Sequence, residues 1–391
     1  ALNSSYAKPD DWVTITFYTS EASQTPTATI LTEATTESNS SGDQLSWLAT
    51  KQMDADDTDG TVTFTIDYFD LAGNQGAQKI SIMSGTDVTF DGTVPTVNSV
   101  TVVSSNADDT YAKEGDVISA TIVTDEALSS ISSATIAGQS ITGSSISEIS
   151  STNWKLSYTV TGSESSGSVS YAFTVIDEAG NETSTTSAGS VVVIDNTSPS
   201  LTTVEILSDN AANTSYAKEG DVVTLTIASN EDLIAAPTVF LAGRAATVSA
   251  VGGSATNYTA TLTMNSTDTQ GTMDISIAFT DLSGNAGTIV TSTTNSSSVL
   301  YDRQVPTLSA VTVSTNNSNS LYAKEGDIIT LSFTSSENLT SSPIVTIGGN
   351  AATESGSDAS WTATYLMVNG DNEGSVTFTV DFTDIAGNVG T

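Results

Sequence analysis

One series of motifs recurs four times at a nearly constant interval, and no other feature limits the fold of this chain so tightly. Tyr-Ala-Lys occurs at Tyr6, Tyr111, Tyr216 and Tyr322, at intervals of 105, 105 and 106 residues. Glu-Gly-Asp follows the lysine at Glu114–Asp116, Glu219–Asp221 and Glu325–Asp327, and Pro9-Asp10-Asp11 stands there in the first copy. A glutamate closes the next apolar run at Glu21, Glu126, Glu231 and Glu337. An Asp-x-Ala/Ser-Gly-Asn turn follows at Asp70–Asn74, Asp177–Asn181, Asp281–Asn285 and Asp384–Asn388. Asp-x-x-x-Pro joints stand at Asp91–Pro95, Asp195–Pro199 and Asp302–Pro306. An interval near 105 residues is too long for a solenoid unit and suits one sandwich domain of about 100 residues.

Within each repeat the apolar period is 2. Val62, Phe64, Ile66 and Tyr68 alternate with polar residues, and so do Val13, Ile15 and Phe17, with counterparts in the other copies. Such runs, bounded by Gly, Asn, Asp and Pro, are strands with one buried face. About seven strands per repeat predict an all-β chain of four tandem immunoglobulin-like β-sandwich domains. The expected domains are 1–91, 92–195, 196–302 and 303–391. Trp47, Trp154, Tyr258 and Trp361 recur on one strand and read as core plugs. The first copy starts after its first strand and the last stops before its seventh, so both are expected to be incomplete parts of a longer array. The joints are short and hold a restrictive proline, which predicts an extended head-to-tail rod of roughly 150–180 Å.

Composition removes most chemistry. The 391 residues include no His and no Cys, which excludes His-based triads, thiol nucleophiles, His/Cys zinc sites and disulfides. The formal charge of −36, from 45 acidic and 9 basic residues, argues against nucleic acid or anionic lipid as a partner. No apolar run reaches the ~18 residues of a membrane helix, so no membrane insertion is expected of this segment. The acids of these motifs recur from copy to copy at loop ends, whereas an active site normally occurs once. The chain is therefore read as no enzyme.

Immunoglobulin-like topology gives the acidic markers positions. Glu126 and Asp177 fall at the leading end of the second repeat, and Asp91 leaves the trailing end of the first. Stacking those ends brings the three together, and the pattern repeats as Asp195, Glu231 and Asp281, then as Asp302, Glu337 and Asp384. Asp116 and Asp221, in the Glu-Gly-Asp turns, belong to the trailing ends and are further candidate ligands, with Glu164 and Asp268 beside them. Crowded carboxylates repel unless a cation lies between them, and calcium takes 6–8 oxygen ligands of this kind. A second reading makes the same residues turn formers only, since Asp bonds the backbone ahead of it and Gly and Asn accept positive φ. Lys8, Lys113, Lys218 and Lys324 suggest an isopeptide staple to asparagine. Within one repeat, however, lysine and the turn asparagine fall at opposite ends, so the lysine is expected to pair with a neighbouring acid.

The whole pattern resembles the tandem bacterial Ig-like repeats of very large cell-surface adhesins, including calcium-dependent secreted adhesins and those of gliding bacteria. It runs from Tyr-Ala-Lys-Glu-Gly-Asp through Asp-x-Ala-Gly-Asn to Asp-x-x-x-Pro. The first copy departs from it at Pro9-Asp10. The resemblance implies an extracellular stalk on a bacterial surface, partnered by adjacent repeats of the same longer chain and projecting a region that binds glycans or proteins. Two alternatives stay open. Each repeat could itself grip a glycan or protein, for which Trp12 is the one outward aromatic, or the chain could self-associate into a surface layer or filament.

Overall fold

The computed structural model describes residues 3–390. Residues 1, 2 and 391, the outermost positions of the first and last expected domains, lie outside the described residues. The chain divides into two compact units, Ala1–Asn196 and Thr197–Thr391. Each holds two sequence repeats. Helical structure among the described residues amounts to two short 3-10 turns, Gly143–Ser145 and Val251–Gly253, and no helix is long and apolar enough to cross a membrane.

In the first unit, the second repeat shows the strand order most fully. One sheet runs Val97–Ser104, Val117–Thr124, Asn153–Thr159, Ile146–Ser150, all antiparallel. The other runs Gln139–Ser140, Leu128–Ile136, Tyr171–Asp177, Glu182–Ser187. Leaving aside the two-residue Gln139–Ser140 at its edge, the first, second, fifth and fourth strands in chain order thus form one sheet, and the third, sixth and seventh form the other. That is the immunoglobulin-like arrangement. The alternating sequence dictates which side is buried: Ile118, Ala120 and Ile122 are sealed, while Val117, Ser119 and Thr121 keep some exposure. Ile118, Ile122 and Leu156 from one sheet share a core with Ile131, Phe173 and Val175 from the other. Ala137 and Gly138 (φ 51° and 74°) make the tight turn from Ile136 to Gln139, which needs two left-handed residues in a row. The first repeat puts Leu31 and Thr32 at the same two positions, with φ 52° and 74°.

The first repeat builds smaller sheets: Trp12–Tyr18, Ser46–Gln52, Thr36–Asn39 on one side, and Glu33–Ala34, Thr27–Ile30, Phe64–Asp67 on the other. In the second unit, the third repeat pairs Leu201–Ser208, Val222–Ser229, Asn257–Thr263, Thr247–Ala250, and the fourth pairs Leu308–Thr315, Ile328–Ser335, Ser360–Leu366, Thr353–Ser357. Each cluster of buried apolar residues stays within one sequence repeat. Trp47, Trp154 and Tyr258 are buried, as core plugs should be, and Trp361 is half-buried against its core.

One strand expectation needs correcting. The long alternating run before each turn does not form a single strand. Gly167–Ser168 pairs with Val193–Ile194, and only Tyr171–Asp177 continues in the main sheet. The cause lies in the backbone: the Val169 N–H donates to the Val192 carbonyl at 2.9 Å, tying the first half of the run to the segment that leads into the joint. That joint strand pairs in parallel with Tyr111–Ala112. The same three-way pairing joins Gly60–Thr61, Thr89–Phe90 and Tyr6–Ala7, and in the second unit Gly271–Thr272, Leu300–Tyr301 and Tyr216–Ala217.

Candidate metal centre

Three local structures deliver the three carboxylates of the first unit. Asp91 ends the joint strand, whose Phe90 is fully buried and whose last bond runs from the Asp91 N–H to the Ala7 carbonyl at 2.9 Å. Past buried Pro95, the chain is clipped to the corner before Glu126. The Thr96 N–H donates to Asp125 Oδ1 at 2.8 Å, and the Asp125 N–H donates back to the Thr96 carbonyl at 3.1 Å. Thr124 Oγ1 holds the Glu126 carbonyl at 2.7 Å. Asp177 closes its strand and organises the following turn, its Oδ1 accepting from the N–H groups of Gly180 (2.6 Å) and Asn181 (2.8 Å). The Asn181 amide then donates to Asp177 Oδ2 and to the Asp91 carbonyl, both at 2.9 Å.

The result is a trio, Asp91, Glu126 and Asp177, with one carboxylate oxygen of each within 4.8 Å of the others. Asp177 is 1% exposed. Burial and the charges of Asp91 and Asp177 push the Glu126 carboxyl up to about 7. Burial also raises Asp91, with Asp177 and Asp59 adding to it against the hydrogen bond from the Thr93 N–H.

The second unit repeats the construction with Asp302, Glu337 and Asp384, again within 4.8 Å of one another. The Asp302 N–H donates to the Ala217 carbonyl at 2.8 Å, and Ser336 takes the clipping role, accepting from the Thr307 N–H at 3.0 Å and donating to its carbonyl at 2.8 Å. The Asn388 amide donates to Asp384 Oδ2 at 2.8 Å and to the Asp302 carbonyl at 3.2 Å. Burial, with the charges of Asp302 and Asp384, raises Glu337. Glu337 Oε1 is sealed from solvent with no hydrogen-bond partner among the described residues. A buried carboxylate oxygen that accepts nothing, beside two further carboxylates, fits a hard cation, whose ~2.3–2.6 Å bonds would let one ion touch oxygens spaced this way.

Asp195 ends Val193–Ile194 in the first unit, its N–H on the Ala112 carbonyl at 2.8 Å. In the second unit, Glu231 holds the corner position, and Asp281, 1% exposed, accepts from the Asn285 N–H at 2.8 Å and its amide at 2.9 Å. Asp116 and Asp221 lie in neither of the two trios described. Their Oδ2 atoms accept from the N–H of Lys113 (2.9 Å) and Lys218 (2.8 Å) and from the amides of Asn106 (2.8 Å) and Asn210 (2.6 Å), so they shape their own turns. Glu164 and Asp268 turn inward instead of toward the joints. Glu164 meets the Tyr158 hydroxyl, the Thr161 hydroxyl and the Thr161 N–H, and Asp268 meets Arg244 at 2.7 Å. Burial pushes Glu164 up, but the Tyr158 and Thr161 bonds more than offset it and hold the carboxyl near 2. Trp12 is exposed, as its outward register requires.

The lysine expectation also needs correcting. Lys8 Nζ donates to the Gly180 carbonyl at 2.6 Å, and Lys218 Nζ to the Gly387 carbonyl at 2.6 Å. Each therefore grips the Asp-x-Ala-Gly-Asn turn of the following repeat, where the carbonyl next to the asparagine faces it. The residues that sequence reasoning passed over are these lysines in that role, the bridging asparagines, and the clip at Asp125, Ser336 and Asn230, whose Oδ1 accepts from the Ser200 N–H at 2.7 Å and whose N–H donates back to the Ser200 carbonyl at 3.0 Å. A polar side chain just before each of the three glutamates was the available signal.

No protein-family model matches the chain, and no curated protein matches it. Among solved structures, it is similar to a Ca2+-stabilized adhesin that helps an Antarctic bacterium reach out and bind ice, with 17% identity, 98% of this chain and 93% of that one covered, and a TM-score of 0.44. A 1.5-MDa bacterial ice-binding adhesin aligns over 77% of this chain and 95% of its own, with 16% identity and a TM-score of 0.44. A tetra-tandem repeat from the extending region of a large adhesion protein aligns over 98% and 96%, with 17% identity and a TM-score of 0.31. Likenesses at this level carry no functional argument, and the fold reading rests on the strand order.

Proposed function

We propose that this chain is a non-enzymatic structural segment of a large bacterial surface adhesin, four tandem sandwiches whose joints are fixed by calcium. The observation that supports calcium most directly is the trio built twice, at Asp91, Glu126, Asp177 and at Asp302, Glu337, Asp384, with an oxygen of Glu337 buried and unpartnered. The sequence carries the same markers at Asp195, Glu231 and Asp281. A bound ion would supply the positive charge that lets three carboxylates stay ionised together. The chain's own groups do the positioning: the clip at Thr96 and Asp125 fixes the joint, the asparagine bridges the outgoing strand to the turn, and the lysine holds the turn from the other side.

The turn bonds alone do not require an ion. Asp70 and Asn74 make the same pair, 2.8 Å from the Asn74 N–H and 2.6 Å from its amide, as a self-contained turn. What a turn does not need is Asp91 and Glu126 pressed against Asp177. Calorimetric titration of the full chain with calcium, and melting in chelator and in calcium, test the proposal. At 100 times the dissociation constant a ligand adds about 2.7 kcal/mol to stability. Glu126→Gln and Glu337→Gln should each remove one site from the titration. Magnesium should replace calcium poorly, because it holds its waters and wants a small octahedral shell. Superimposable melts and no heat of binding would leave these residues as turn formers.

A further inference from the structure

We propose, independently of calcium, that Asp91-Gly92 in the first joint is a latent isoaspartate site and that the Asp59 carboxylate is the group that keeps it unreacted. An aspartate before glycine can close on its own backbone, because no side chain shields the next nitrogen. The Gly92 nitrogen attacks Asp91 Cγ. The C–N bond forms, the C–OH bond breaks, and the hydroxyl leaves with the nitrogen's proton as water. Water then adds to the main-chain carbonyl carbon of Asp91 and breaks its bond to the nitrogen. The chain now runs through Cγ, one carbon longer and unchanged in composition.

The reacting groups are in place. The Thr93 N–H donates to Asp91 Oδ1 at 3.1 Å, an Asx turn that folds the carboxyl back along Gly92. Packing explains the glycine: a Cβ there would come 3.3 Å from the sealed Phe90 ring and 3.6 Å from Asp59 Oδ1. The restraint sits on the attacking atom itself. The Gly92 N–H donates to Asp59 Oδ1 at 2.7 Å, and the Thr93 hydroxyl donates to Asp59 Oδ2 at 2.6 Å. Those bonds, the Gly92 one foremost, hold the Asp59 carboxyl below its ordinary value, so it is charged at neutral pH. Attack requires a nitrogen that has given up its proton, and a negative nitrogen 2.7 Å from a carboxylate oxygen is opposed by charge repulsion. The other joints carry neither half of the arrangement. Asn196 and Arg303 stand where the first joint has Gly92, and Ser166 and Gln270 stand where it has Asp59. The remaining Asp-Gly dipeptide is Asp59-Gly60, whose carboxylate oxygens are both taken by the bonds just described.

Ageing the full chain in chelator at neutral pH, below its melting transition, tests this. Peptide mapping by mass spectrometry, with fragmentation that separates isoaspartate from aspartate, reads conversion at Asp91. Deamidation of the exposed Asn369-Gly370 dipeptide in the same sample is the internal clock. Native Asp91 should convert far more slowly than the same dipeptide in a free peptide of residues 88–96. Asp59→Ser and Asp59→Gln carry the residues of the second and third repeats at this position. Each should speed conversion at Asp91 by about tenfold, the factor one charge exerts at this distance in a water-like medium, and leave the clock unchanged. Thr93→Val loosens Asp59 but leaves its charge beside Gly92, so it should accelerate conversion much less. Native conversion at the free-peptide rate, or equal rates in the native chain and both Asp59 variants, overturns the proposal. So does a Thr93→Val rate equal to that of Asp59→Ser, or acceleration seen only where calorimetry shows a lowered transition of the first unit, since looseness and not charge would then set the rate.

Discussion

Glu126→Gln is expected to change sign with the metal. In chelator, moving a carboxyl from its ordinary 4.5 to about 7 costs the folded state at most about 3 kcal/mol once the group is ionised. The figure is a ceiling because Glu126 keeps some solvent contact. The direction follows from linkage. With the folded pKa above the unfolded one, this group's full stability is present below pH 4.5 and is lost as pH rises through about 7. At pH 8 without metal, glutamine cannot ionise and escapes that penalty, so the variant should be more stable than the native chain. For a unit of this size ~1 kcal/mol moves Tm by about 2–4 °C, giving a gain of up to roughly 6–12 °C in the transition of the first unit. At pH 4.5 the gain should vanish. In saturating calcium the ordering should reverse, because the native chain then has its third carboxylate ligand and the variant does not. Differential scanning calorimetry at pH 4.5, 7 and 8, with chelator and with calcium, reads all of this. A variant that melts at or below the native temperature in chelator at pH 8 would refute the claim that these three carboxylates oppose one another in the metal-free fold.

Other outcomes can be checked in the same background. Lys8→Met removes the ammonium bond to the Gly180 carbonyl and should cost about 1–2 kcal/mol with or without calcium, measured by chemical denaturation. Tyr158→Phe removes a bond that holds Glu164 near 2, so the Glu164 carboxyl should rise; the stability it contributes above pH 4.5 should then be lost at a higher pH on acidification, as a pH series of melts would show. Thr32→Gly should stabilise the first repeat by about 0.5–1 kcal/mol, because a β-branched residue at φ 74° is replaced by one that adopts it freely; an unchanged or lower midpoint would count against strain at that turn. Arg244→Gln leaves the buried Asp268 carboxylate without its ionic partner and should destabilise the third repeat by about 1–3 kcal/mol.

The fold was legible because period-2 alternation and a 105-residue interval are properties of the chain alone. Ile118, Ala120 and Ile122 announce a buried face whatever surrounds them. The division of the run around Val169 was not legible, since apolar alternation continues through it; what splits it is a backbone bond to Val192, which side-chain pattern does not encode. For the site, topology alone suffices to bring Asp91 to Glu126 and Asp177, because strand ends fix positions to within a few residues. Topology could not separate Asp116 and Asp221 from the trios, as both choices lie on loops at the same end. Only the reach of the Asn106 and Asn210 amides decides that. The lysines failed for a related reason. Charge suggests a carboxylate partner, but the nearest acceptor is a turn carbonyl, and carbonyls are invisible in a list of side chains.

The parallel pairing of each joint strand with its Tyr-Ala partner has a mechanical consequence. A pull on the chain beyond Asp195 draws Val193–Ile194 along its own axis, past Tyr111–Ala112 and Gly167–Ser168 on either side. Force in that direction loads the flanking hydrogen bonds together and must drag the sealed Ile194 out of its seat before any bond is released singly. Resistance to such a pull is set by the height of the unfolding barrier and not by equilibrium stability. A two-residue strand that contributes little to the sheet area therefore acts as a latch, and its strength should track the size of the one inward side chain: phenylalanine at Phe90, isoleucine at Ile194, tyrosine at Tyr301.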